Sequence, residues 1–295
     1  MREGAIEGVI NRNRRRAIEL VDAPRAPVRA LSHRCGGGCR GYVRWRTVGA
    51  KVLPETGRFL IAKATVSHTE NRLIALLPRK DQQHLISRCE LVPLVLSEVL
   101  CEPGQTTRHV YFPIDGFISL VALLDGHSGL EVGMVGNEGM LGAPLSLGVP
   151  IAPLRAVVQG AGKAWRLGSA DFQSEIIRSR ALRRGLDLYL YVRIAQLASA
   201  ATCLRYHLIG PRLARWLLMS QDRAHADHFH ITHEFMAYML GVRRVGITVA
   251  AGGLQRSGLI SYRRGEIQVL DRLGLEAAAC SCYASDRQSY ERYMP

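Results

Sequence analysis

Between residues 90 and 167 the apolar positions come in short β-rich segments broken by turn residues. The segments include His109–Pro113 (HVYFP), Gly116–Leu124 (GFISLVALL), Leu130–Val135 (LEVGMV) and Arg155–Gln159 (RAVVQ). Glu102-Pro103-Gly104, Asp115-Gly116, Asp125-Gly126 and Gly160-Ala161-Gly162 read as turns between them. Many short strands at near-regular spacing predict an antiparallel sandwich or barrel. Ahead of them, Leu73 to Leu77 and Asp81 to Cys89 predict two short helices separated by Pro78. Beyond Asp171 the period turns helical: Leu186, Leu190, Ile194, Leu197, Ala201, Leu204 and Leu208 step by 4, 4, 3, 4, 3 and 4. This is an apolar seam at coiled-coil spacing, whose length favours a dimer helix over a helix packed only on its own β domain. Gly210-Pro211 reads as its end, and Pro211 as the start of a helix with core candidates Leu213, Trp216 and Leu217.

From Ile231 to Ile260 the pattern predicts two short helices joined by a tight turn. Thr232 is a good N-cap with Glu234 in the first turn, and Ile231 and Met236 stand at staple positions. Gly241 can take the left-handed conformation that a sharp exit needs. Ile247, Ala250, Ala251 and Leu254 then form the buried stripe of the second helix. Its opposite side shows Arg244, Val245, Thr248 and Val249, with Arg243 just ahead. A basic entry followed by small residues suits a helix entering a DNA major groove, although a plain helical hairpin with solvated arginines gives the same pattern. The hairpin that follows shifts the balance. Leu259, Ile260 and Tyr262 lead into Arg263-Arg264-Gly265-Glu266, and Ile267, Val269 and Leu270 resume a strand, which makes a winged helix with arginines at the wing tip. LEAAACSCY suggests a last short helix, with residues 284–295 as a tail.

Charge changes the picture less than its total suggests. The 295 residues carry a formal net charge of +14, but residues 1–68 hold 14 Lys+Arg against 5 Asp+Glu. That basic segment has little periodic hydrophobicity and is expected to be a disordered extension, or to come from a misassigned start. No apolar run has the length of a membrane span, and no secretory signal pattern opens the chain. Seven irregularly spaced cysteines suggest a reducing cytoplasm.

The order of β domain, long helix and winged helix, together with HVYFP, GMVGNEGMLG, RLARWLLM and MLGVRR, resembles the Crp/Fnr superfamily of bacterial transcription regulators. The resemblance covers about residues 70–283 and is strongest in the C-terminal third. It implies an α+β chain: a double-stranded β-helix (jelly-roll) sensor domain at 69–178, a dimerisation helix at 179–209 and a winged helix-turn-helix at 210–283. It also implies a homodimer on a two-fold symmetric operator in double-stranded DNA, with RNA polymerase as a candidate partner. Arg244 matches the family position that commonly reaches a guanine edge, while Arg243, Arg263 and Arg264 fit phosphate contacts. Val245 and Gly246 stand where well-studied members place glutamate and a hydroxyl residue, so base reading would rest on Arg244, Thr248 and apolar contacts from Val245 and Val249. The dimer seam would comprise Leu186, Leu190, Ile194, Leu197, Ala201 and Leu204.

The region matching the family's cyclic AMP pocket contains Gly136, Glu138, Gly139, Gly142 and Arg155. Glu138 precedes the turn instead of sitting inside it, and no Arg-Ser or Arg-Thr pair follows. Cyclic AMP is therefore not the expected effector, which stays unidentified; the glycines serve equally well as jelly-roll turns. An iron–sulfur cluster is not expected either, since only Cys35 and Cys39 lie in the N-terminal region. With His33 they give two thiols and one imidazole, which do not close a tetrahedral site. Cys280-x-Cys282 reads as a pair of partly buried thiols. His225, His228, His230 and His233 fit a histidine-rich polar loop, with a metal clip or pH sensor as the alternative. No resident metal is expected. The chain shows no nucleophile elbow, P-loop or paired-histidine zinc motif, so no enzyme is expected. The rival reading is a small-molecule-binding or protein-interaction module whose winged helix docks on protein.

Overall fold

The computed structural model describes residues 71–124 and 129–294. The basic extension, with His33, Cys35 and Cys39, and the Asp125-Gly126 turn lie outside the described residues. The described part opens on α1 (Arg72–Ala75), capped by Asn71, whose side-chain oxygen accepts from the Ile74 N–H. The Asn71 amide also donates to the carbonyls of Pro113 and Gly139, at 2.9 and 2.8 Å, so a short cap ties two distant segments together. Pro78 separates α1 from α2 (Arg79–Arg88), as the sequence predicts.

Five antiparallel strands follow: β1 (Glu90–Leu94), β2 (Val99–Cys101), β3 (His109–Ala122), β4 (Leu130–Val135) and β5 (Arg155–Gly168). They form one sheet in the order β1-β5-β3-β4, with β2 also on β5. Two expected turns need correction. Asp115-Gly116 and Gly160-Ala161-Gly162 do not reverse the chain; they face one another inside β3 and β5, where the register shifts. Gly116 has φ +70°, and a Cβ there would run into the Gly160 carbonyl, while one on Gly162 would strike the Asp115 carbonyl. The glycines permit a close backbone crossing at paired bulges, which a turn signal in the sequence mimics.

Helix α3 (Ser169–Arg178) hands over to the 27-residue α4 (Arg180–Tyr206) through Ser179, whose hydroxyl caps α4 and donates to Asp81 at 2.5 Å. The first half of α4 buries Leu182, Leu186, Tyr189 and Val192 in the core of the β domain, with Val110, Phe112, Leu167 and Phe172. The second half leaves that core: Ile194 is 66% exposed and Leu197 42%. α4 ends at Tyr206, earlier than Gly210-Pro211 suggests, and Leu208 lies outside it. The next helix, α5 (Ile209–Ala224), takes Pro211 into its first turn, where the missing N–H breaks no intrahelical bond.

The C-terminal part contains β6 (His228–His230), α6 (His233–Leu240), α7 (Arg244–Arg256), β7 (Ile260–Arg263), β8 (Glu266–Val269), α8 (Arg272–Ala278) and α9 (Cys282–Tyr293). Its small sheet runs β6-β8-β7, with β6 an additional strand where a polar loop was expected. The expected tail is largely helical: α9 places Tyr290 and, just beyond its end, Met294 in the same core as Leu73 and Leu77. The winged-helix part is also not set off by a solvated boundary. One core joins Phe117, Val121 and Met134 of the sheet to Leu213, Trp216, Leu217 and Met236. Among the described residues no helix is long and apolar enough to cross a membrane.

Candidate nucleic-acid interface

Helix α6 starts where Thr232 accepts from the Phe235 N–H at 3.1 Å, and its first turn carries Glu234 against the positive end of the helix. It stops at Gly241, with φ +61°, whose N–H donates to the Ala237 and Tyr238 carbonyls; the Val242 N–H also bonds Ala237. A Cβ at Gly241 would press on Leu130 of β4, so this glycine serves both the exit and the close packing of α6 on the sheet. Ile231 and Met236 are both buried in the core that α6 helps to close.

Helix α7 turns Ile247, Ala251 and Leu254 inward, with Ala250 half-buried beside them. Arg243, Arg244, Val245, Thr248 and Val249 are all exposed, the two valines at 66% each. Arg244, Val245, Thr248 and Val249 thus share the free side of one helix, with Arg243 exposed at its cap. Thr248 is engaged in place: its hydroxyl donates to the Arg244 carbonyl at 3.2 Å and meets Nδ1 of His233 at 3.1 Å. The three glycines of this helix differ in cause. A Cβ at Gly246 would meet the tip of the Ile209 side chain of α5, which would have to shift. Gly252 is bounded only by the Arg256 side chain, and nothing in the structure explains Gly253.

The wing is a two-residue hairpin between Arg263 and Glu266. Arg264 and Gly265 both have positive φ, +53° and +88°, the geometry of a type I′ turn. Arg263 and Arg264 are exposed at its tip. The histidines expected as a polar loop support this wing instead of gathering at one point. His230 on β6 pairs with Glu266 at 2.7 Å, and His233 stacks on Tyr262 at 4.3 Å. His225 caps α5 in the left-handed conformation, and His228 lies on β6 opposite Gln268. Burial, and then the charge of Arg244, hold the His233 imidazole below its ordinary pKa. It therefore bridges α6, α7 and the wing as a neutral ring.

On the sheet domain a cavity of about 790 Å³ lies between the strands and α4. Tyr111, Met140, Gly142, Leu190, Arg193 and Ile194 are among its lining residues. Of the five residues matched to the family's nucleotide pocket, only Gly142 lines it, with φ +92°. Gly136 and Gly139 instead pack closely on Arg223 and on the Tyr189 ring. Arg155 pairs with Glu102 at 2.9 Å. Glu138 turns toward the winged-helix part and pairs with Arg223 at 2.6 Å, while accepting the Gly136 N–H. A carboxylate read from sequence as a pocket residue thus belongs to a junction. Beside it, Glu131 of β4 accepts from Trp216 Nε1 at 3.0 Å and from the Ser119 hydroxyl at 2.6 Å. Its residue keeps some exposed surface, but the carboxyl is enclosed, and burial pushes its pKa up to about 7 against the pull of those donors and of Arg223 and Arg215.

Of the proposed seam, Leu186 is fully buried and Leu190 half-buried, whereas Ile194, Leu197, Ala201 and Leu204 are exposed.

Residues 211–278 match the family model of the Crp-like helix-turn-helix domain. No curated protein matches the chain in sequence. Three solved structures are similar in fold. FixK2 from Bradyrhizobium japonicum is 14% identical with a TM-score of 0.56, covering 65% of this chain and 98% of its own. A putative Crp/Fnr-family transcriptional regulator from Eubacterium rectale is 17% identical at 0.56, covering 71% and 99%. A Crp/Fnr-family regulator from Thermus thermophilus is 21% identical at 0.53, covering 64% and 98%. Residues 211–278 thus match a Crp-like helix-turn-helix domain, and the described chain shares the fold of these regulators.

Proposed function

We propose that this protein is a sequence-specific DNA-binding transcription regulator that acts as a homodimer on a two-fold symmetric operator in the cytoplasm. The observation that carries the reading is the free face of α7. Arg243, Arg244, Val245, Thr248 and Val249 are exposed together, opposite a fully buried stripe, beside a wing tipped by Arg263 and Arg264. Arg244 would fork onto a guanine edge, and Arg243, Arg263 and Arg264 would hold phosphates and set register. The exposed half of α4, from Ile194 to Leu204, would pair with the same helix of a second copy. RNA polymerase is then a partner at the promoter.

The effector site proposed here is the cavity against α4. Its wall is largely apolar and carries Arg108 and Arg193 with no carboxylate, which suits an apolar molecule with an anionic group. A ligand there would touch Leu190, Arg193 and Ile194 of the helix that also carries the dimer face. Occupancy could therefore shift the population of paired α4 arrangements, given different affinity for each.

The test is DNA binding to the protein's own upstream region across a salt series, with and without Arg244→Ala. A regulator gives site-specific binding with a steep salt slope. Arg244→Ala should lose about 1–3 kcal/mol on the preferred site and much less on random DNA. Equal losses on both would sink the base-reading role of Arg244, and no preferred site with a flat salt response would favour a winged helix that docks on protein.

A further inference from the structure

Three buried cysteines form a small cluster apart from the large cores: Cys203, Cys280 and Cys282. Cys203 lies one turn before the end of α4, and His207 is the residue that caps that helix. Cys280 lies in the connection after α8, and Cys282 is the first residue of α9. The chain brings these two pairs together across more than seventy residues. The ligand atoms of Cys203, His207, Cys280 and Cys282 all lie within 4.8 Å of one another. Cys203 Sγ is 3.5 Å from Cys280 Sγ, and Cys282 Sγ is 3.5 Å from His207 Nδ1.

Those separations have a chemical meaning. With Zn–S near 2.3 Å and Zn–N near 2.0–2.1 Å, a tetrahedral site has S···S edges of about 3.8 Å and S···N edges of about 3.6 Å. Two of the six separations, 3.5 Å each, already stand close to these edges and the others stay within 4.8 Å, and the donor set, three sulfurs and one imidazole nitrogen, is that of a closed structural zinc site. Arg212 and Arg215 of α5 stand near enough for their charges to be felt at Cys203 and Cys280, and the buried Nε of Arg215 has no hydrogen-bond partner. Arg212 suits a Zn(Cys)3(His) centre, whose three thiolates leave a net negative charge, while Arg215 is shared with Asp286 at 2.6 Å.

We propose that Cys203, His207, Cys280 and Cys282 bind one zinc ion that staples the end of α4 to the segment between α8 and α9. On binding, the thiols of Cys203, Cys280 and Cys282 give up their protons to solvent, and His207 coordinates as a neutral ring through Nδ1. Only His207 and Leu208 separate α4 from α5. A metal bond at His207 therefore fixes the exit direction of the chain from the long helix. The site does not depend on DNA binding and stands or falls separately from the regulator reading.

The test uses the full chain, purified under reducing conditions, incubated with Zn2+, desalted and assayed for zinc, then substituted with Co2+. About one zinc per chain is expected, with the intense visible absorption of a tetrahedral cobalt–thiolate centre. Cys282→Ser should lose the zinc, and a Cys35→Ser/Cys39→Ser variant should keep it. No retained zinc, or zinc that leaves with Cys35 and Cys39 and stays in Cys282→Ser, overturns the site. So does a Cys203–Cys280 disulfide in protein alkylated at lysis. Should Cys282→Ser fail to fold, the wild-type cobalt spectrum decides: thiolate charge-transfer bands support the site, and their absence overturns it.

Discussion

The two halves of α4 share one hydrophobic spacing and have opposite surroundings. Leu182, Leu186, Tyr189 and Val192 are sealed into the sheet domain, whereas Ile194, Leu197, Ala201 and Leu204, with the same three- and four-residue steps on a face about a quarter turn away, are exposed. A periodic stripe states which face of a helix seeks cover, and says nothing about whether the cover comes from the same chain. Here the first half is covered by its own domain, and the second half is exposed.

The contrast can be broken by mutation, taken from the largest expected effect on unfolding to the smallest. Leu186→Ala should cost about 2–5 kcal/mol in denaturant unfolding, because it empties a fully buried site. A loss below about 1 kcal/mol would mean that the first half is not core.

The second test sits where α4 leaves the core. Arg193 there donates to the Met134 carbonyl at 3.1 Å, and Glu131 lies on the same strand. The folded pKa of Glu131 is raised from 4.5 to about 7, so folding favours its neutral form. Its share of stability is complete below about 4.5, falls as pH rises through about 7, and stays lost above that. Thermal midpoints should decline across this window in wild type, with a flatter decline in Glu131→Gln. Parallel profiles would remove Glu131 as the cause.

Gly185→Ala should gain about 0.5–1 kcal/mol, since a Cβ there meets Leu73 at an ordinary 3.6 Å and the helix backbone loses no freedom it needs. A measured loss would show that α4 and α1 pack more tightly than this spacing. Smallest of all, Ile194→Asp should change the unfolding free energy of the monomer by under about 0.5 kcal/mol. Its expected signature is in assembly: sedimentation should shift toward monomer, and an unchanged dimer would move the interface off this stripe.

Much of this was legible in the sequence because local chemistry agreed with the final packing. Thr232, Gly241 and the Ile247–Leu254 stripe define the helix-turn-helix through capping and period alone, and Arg264-Gly265 announces its wing. Illegible parts depend on contacts made at long range. Gly116 and Gly160 look like turn residues because sequence cannot distinguish a chain reversal from two strands crossing closely. Glu138 looked like a pocket residue because its partner Arg223 is 85 positions away. The third wing strand is only three residues, His228–His230, too short to show an alternation. The polar helix α9 gave no apolar stripe, yet it carries Tyr290 and Met294 into the core.

That last contact bears on how the protein is made. The core that begins at Leu73 includes Tyr290 and Met294, so the sheet domain contains side chains from both ends of the described chain. A ribosome releases Leu73 and Met294 at different times, so the growing sheet domain keeps an unfilled gap until α9 has emerged. A product truncated before α9 would carry the complete helix-turn-helix on an incomplete sheet domain. Only a chain translated through α9 can therefore close the core that starts at Leu73.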